Sequence, residues 1–221
     1  MYEYFTNDAK RMITIAETEA LDMGHKFLTT EHMALAFVAA DFPMTKILSK
    51  VYNINYEKFK DIADKAAQRH IHYSKFGRMV NKLSRENEEQ YFPPKLPLTS
   101  MMKKAILLAN EQSGFLNNDF EERYKTKFER KVDTGHLLLG ALLGSDGVLP
   151  GIFKKLKIDI GELVEVIIFL LNPMEKTSDF NFIVQEIEDR IQARRCSEIY
   201  HTGIICPLVK AHQGKEEYAS V

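Results

Sequence analysis

Along most of the chain, apolar residues return at steps of three and four, the period of a helix with one buried face. In the first such segment Met12, Ile13, Ala16, Ala20 and Leu21 share a face, Thr6 and Asp8 supply a cap and a first-turn acid, and Gly24 marks a stop. Gly114 reads as the stop of a later helix in the same way. Near the carboxyl end Phe182, Ile183, Ile187 and Ile191 share a face, and Ser178 or Asp179 caps a helix running to about Arg195. No stretch combines β-branched alternation with hairpin turn residues, so the predicted fold class is all-α.

The pattern also repeats. Setting Phe5–Ala20 over Leu98–Ser113 pairs Thr6 with Thr99, Lys10 with Lys103, Arg11 with Lys104, Ile13 with Ile106 and Ala16 with Ala109, at a constant offset of 93. Thr30-Glu31-His32 then pairs with Thr134-Gly135-His136 at an offset of 104, so the second copy holds eleven more residues. They fall within GFLNNDFEERYKTKF, which is expected to form a loop. Each copy continues with a short helix (MTKILSKVYNIN, GIFKKLKID) and an amphipathic one (YEKFKDIADKAA, IGELVEVIIFLL). The predicted architecture is a pseudo-two-fold tandem repeat of two four-helix units, whose apolar faces cover each other. Residues 1–172 form the double-repeat domain, with repeat one at 1–69, an inter-repeat linker and extra helix at 70–97 and repeat two at 98–172. Residues 173–221 supply a carboxyl-terminal helix and tail.

At FTNDAKRMITIAETEALDMGHKFLTTEHMALAFV the chain resembles the start of the amino-terminal domain of the Clp family of unfoldase ATPases: a long helix ending at Gly-His, a short loop, and Thr-Glu-His opening the next helix. LTSMMKKAILLANEQ with DTGHLLLGALL resembles that domain's internal duplicate, and the likeness extends over about Met1–Asn172. It implies a compact pair of helical repeats that binds Clp protease or unfoldase subunits, an adaptor or a protein substrate. It also implies a small surface pocket at Thr30 and Glu31 for phosphoarginine-bearing proteins, with carboxylate against guanidinium and helix start against phosphate. Gly135 stands where a second acid would be. The residues alone are explained by a cap, with Thr29 or Thr30 satisfying free amides and Glu31 lying along the helix dipole. His32 and His136 read as interior histidines holding the loop.

Composition narrows the remaining choices. With 45% apolar residues and a net charge of -1, the chain can bury a core and has no overall attraction to nucleic acid or anionic lipid. The longest apolar run, Leu163–Leu171, is broken by Glu165 and is too short to span a membrane. With no secretory leader in MYEYFTNDAK and only two cysteines, the expected location is cytoplasmic. No G-x-x-x-x-G-K-[ST] loop occurs, so this stretch carries no nucleotide motor, and no nucleophile motif points to an enzyme.

Two regions depart from the resemblance. Between the copies, Lys75, Arg78, Lys82 and Arg85 fall on one helical face and Phe76, Met79, Val80 and Leu83 on another, which predicts a docked or partner-binding amphipathic helix. Cys196, His201, Cys206 and His212 lack the tight pairing of a zinc site, so no metal and no cofactor are expected. The functional reading is a non-catalytic protein-interaction module of a Clp-type system, with a partner surface at Thr30, Glu31, Lys75, Arg78, Lys82 and Arg85. The alternative is a regulatory or sensor protein that uses the same fold for a small ligand or an unrelated partner.

Overall fold

The computed structural model describes residues 2–72, 94–172 and 179–201. Its helices are α1 (Asn7–Asp22), α2 (Thr30–Ala39), α3 (Pro43–Tyr52), α4 (Tyr56–His72), α5 (Ser100–Tyr124), α6 (Thr134–Gly144), α7 (Val148–Lys155), α8 (Ile160–Leu171) and α9 (Phe180–His201). The described residues hold no strand longer than two isolated bridges, so the fold is all-α. The chain divides into two compact units, Met1–Lys176 and Thr177–Val221. In the second, Asp179 caps α9 by accepting the N–H of Asn181 at 2.9 Å.

The first unit is organised around α2 and α6. Both are apolar on every side, a composition that suits only a fully enclosed helix. Thr30 to Phe37 and Thr134 to Leu142 are buried without a break, and the two helices lie against each other. Around this pair α1 and α4 pack on α2, while α5 and α8 pack on α6. The outer helices also meet: Phe59 of α4 and Phe153 of α7, both buried, touch edge to face with ring centroids 5.5 Å apart. On the other flank Glu19 of α1 accepts from Tyr56 Oη at 2.8 Å and Lys60 Nζ at 3.0 Å, tying α1 to α4.

The helix starts are built alike in the two copies. Thr6 Oγ1 accepts the N–H of Ala9 at 3.1 Å, and Thr99 Oγ1 accepts that of Met102 at 3.2 Å, each satisfying one of the amides a helix start leaves without an internal partner. Just outside these caps the chain pairs across copies. Thr6 N–H donates to Val132 O and Val132 N–H to Tyr4 O, while Thr99 N–H donates to Leu28 O and Leu28 N–H to Pro97 O, all at 2.8–3.0 Å. Thr6 and Thr99 stand at the offset of 93, and Leu28 and Val132 at the offset of 104, so the two crossings are one contact with the partners exchanged. That exchange supports the reading of a duplicated unit. Thr99→Ala removes the α5 cap and is expected to lower unfolding free energy by about 1 kcal/mol, read as a shift in urea midpoint.

Two expectations need correction. The additional residues of the second copy do not form a loop from Gly114: α5 runs on as helix to Tyr124 and ends at Lys125 with a left-handed φ of 52°. Gly114 therefore lies mid-helix. A Cβ there would sit 3.1 Å from Cζ of Arg130, whose guanidinium donates to Asn110 O and lies over the Tyr4 ring at 4.8 Å. Glycine leaves room for this clasp instead of ending the helix. The second correction is that the carboxyl-terminal helix continues past Arg195 to His201.

Candidate interaction site

The start of α2 is fixed by a capping box in which Thr29, not Thr30, is the cap. Thr29 Oγ1 accepts the N–H of His32, and the Thr29 N–H donates back to His32 Nδ1 at 3.1 Å. Thr30 Oγ1 donates to Glu31 Oε2 at 2.9 Å. The resemblance implies an open pocket at these two residues, but both are 0% exposed. The structure thus brings Thr30 and Glu31 together as a closed pair inside the molecule, with the acid in the first turn of α2, where the helix dipole favours it.

From His32 the contacts lead to α4. Its Nε2 lies 2.7 Å from Nδ1 of His25, and His25 Nε2 lies 3.3 Å from Oδ1 of Asp64 on α4. Burial, reinforced by the neighbouring His25, holds His32 far below the usual imidazole range, at about 3. Burial also lowers His25, against the opposing pull of Asp64 and then Glu31. Sequence spacing did not connect Asp64 to the motif, since it lies 32 residues beyond His32 and reads there as one more charge on an amphipathic helix.

The second copy uses the same box with other residues. Asp133 Oδ1 accepts the N–H of Thr134 at 2.7 Å, and the Asp133 N–H donates to His136 Nδ1 at 3.1 Å. Gly135 holds the place of Glu31, and a Cβ there would lie 2.7 Å from Met44 Cε and 3.0 Å from Leu171 Cδ2. Side chains from α3 and α8 thus occupy the space an acid would need. Beside this start, the carboxyl-terminal half of α5 and the connection after it frame a pocket of about 280 Å³ lined by Asn117, Phe120, Phe128, Lys131, Asp133 and His136 among others. Lys131 Nζ pairs with Glu129 at its edge, at 2.7 Å.

Lys75, Arg78, Lys82 and Arg85 lie outside the described residues, as do Cys206 and His212. Among the described residues no group of three or more His, Cys, Asp or Glu is placed to hold a metal ion, and no single helix is long and apolar enough to cross a membrane.

Comparison with known proteins places these features in a family. The model of the Clp repeat (R) N-terminal domain matches residues 4–120. A probable ATP-dependent Clp protease ATP-binding subunit of Chlamydia pneumoniae is 29% identical over 163 residues, covering 74% of this chain and 16% of its own length. A ClpA homolog, an ATP-dependent Clp protease ATP-binding subunit of Cyanidium caldarium, is 26% identical over 178 residues, covering 80% and 17%. The chain therefore spans about a sixth of the length of these two curated relatives. Among solved structures, the N-terminal domain of the ClpD chaperone of Arabidopsis thaliana has a TM-score of 0.49 and 18% identity, covering 77% of this chain and 96% of that one. The Hsp104 N-terminal domain of Candida albicans has a TM-score of 0.46 and 20% identity, covering 80% and 96%. With its paired helix starts and the family model matching from Tyr4 through α1, α2 and most of α5, the chain belongs to the Clp repeat N-terminal domain family.

Proposed function

We propose that the chain is a non-catalytic docking module of a Clp-type protease or chaperone system, engaging an unfoldase, the proteolytic core, an adaptor or a protein substrate. The observation that carries this reading is the match to the Clp repeat family over residues 4–120, together with relatives named as Clp protease ATP-binding subunits. The interior supports it physically: the acids and imidazoles of the helix starts are spent on caps and on one another, an arrangement that makes a rigid body and leaves recognition to the surface. Capture of the tagged chain from native lysate, with partners identified by mass, tests the proposal. Clp unfoldase, protease or adaptor subunits are expected, and their absence across salt conditions contradicts it.

Partner binding at Thr30, Glu31, Lys75, Arg78, Lys82 and Arg85 belongs to the same proposal. Because Thr30 and Glu31 are enclosed, a ligand reaches them only if the start of α2 opens. Titration calorimetry with phosphoarginine is therefore expected to give weak heats that vanish in Glu31→Ala; equal or undetectable binding by both proteins removes Glu31 from the site.

A further inference from the structure

We propose that His25, His32 and Asp64 form a proton-sensitive latch that keeps the α1–α2 connection shut against α4 and releases it when the pair of rings takes up one proton. Donor and acceptor roles fix the direction of every hydrogen bond in the cluster. A backbone N–H only donates, so the Thr29 amide, 3.1 Å from His32 Nδ1, requires a lone pair there and places the proton of neutral His32 on Nε2. That proton points at His25 Nδ1, 2.7 Å away, which must accept. The proton of His25 then sits on Nε2 and faces Asp64 Oδ1 at 3.3 Å. One chain of one direction runs from a backbone amide through two rings to a carboxylate, joining the α1–α2 connection, the start of α2 and α4.

Such a chain has no place for another proton. Added to His25, it lands on Nδ1 and sets two donors against each other at 2.7 Å; added to His32, it lands on Nδ1 and opposes the Thr29 N–H. If the His32 proton moves to Nδ1 to make room, Thr29 Oγ1 at 3.0 Å can accept it, but the Thr29 amide bond is still lost. The charged groups acting on the pair are Asp64 from α4 and Glu31 from α2, both favouring a protonated His25, while burial of both rings opposes it and is the larger cause. The closed arrangement therefore holds fewer protons than the open one. Closure is therefore complete above the ordinary imidazole range near 6.5, and weakens as pH falls from there toward the depressed value of about 3 for His32. Each proton taken up on opening shifts the equilibrium roughly tenfold per pH unit within that window.

The test uses the whole chain labelled with ¹⁵N. Ring spectra at pH 7 are expected to show the proton on Nε2 of both His25 and His32, and amide exchange at Thr29 is expected to lose protection roughly tenfold or more per pH unit below about 6.5, ahead of core amides such as Leu35. His25→Phe keeps a ring but removes one of the two sites for a proton, so it should make that dependence shallower, with His32 supplying what remains. An Nδ1–H form on either ring at neutral pH overturns the proposal, as does uptake of a proton near 6.5 with Thr29 protection unchanged. The ring spectra decide the matter in wild type even if the variant fails to fold.

Discussion

Gly140→Ala is expected to destabilise the protein by about 3 kcal/mol or more, the upper end for overpacking a core. The side chain is a single methyl, and alanine ordinarily favours a helix over glycine by roughly 1 kcal/mol. Position 140 reverses the sign because α5 crosses α6 there almost backbone to backbone. A Cβ on Gly140 would run into Ala105 O and sit 2.7 Å from Ala109 N, and one on Gly144 would sit 2.8 Å from Ala105 N. Main-chain atoms in the middle of a 25-residue helix cannot turn aside as a flexible side chain can. Gly151 in α7 gives the matched control: a Cβ there meets nothing within 4 Å, so Gly151→Ala should be neutral or stabilising by about 0.5–1 kcal/mol. Urea denaturation of both variants measures the contrast; equal effects would mean that α5 and α6 do not cross this closely.

Phe59→Ala has the second large effect. Phe59 is 0% exposed and its ring meets Phe153 across the boundary between the copies, so truncation leaves a cavity that rigid neighbours only partly fill. The expected cost is about 3–5 kcal/mol, a large part of the 5–15 kcal/mol typical of a folded domain. Combined with Phe153→Ala in a double-mutant cycle, the pair should show a coupling of about 0.5–1.5 kcal/mol. Additive losses would place the two rings in separate environments. A cooperative midpoint common to both single variants would fit two copies that share one core.

Much of this core was legible in the sequence because helical period and repeat spacing are long-range signals that survive substitution. The cap Thr6, its counterpart Thr99 at the repeat offset, and the buried stripe Met12, Ile13, Ala16 were readable from residue type and interval alone. The misreadings have physical causes. Gly114 carries the usual mark of a helix stop, but here it makes room for Arg130, a residue 16 positions away that local pattern cannot supply. The additional residues within the second copy looked like a loop because insertions usually are, whereas Leu116 and Phe120 continue the buried face of α5 and keep it helical. At the candidate site, Thr-Glu-His was visible as a motif. What was not visible is that Glu31 lies enclosed, or that His25 and Asp64 extend the motif by hydrogen bonds to another helix. Burial of a polar residue depends on what packs over it, and no interval within one segment encodes that.

The proposed role, docking on Clp components without chemistry, is open to direct measurement. Its most direct measurement is titration of the purified chain against the purified Clp unfoldase, protease and adaptor proteins of the same organism, with phosphate release from ATP followed for the chain alone. Saturable binding to at least one of these components and no nucleotide turnover are expected; absence of binding to every one of them, or phosphate release by the isolated chain, would rule the proposed role out.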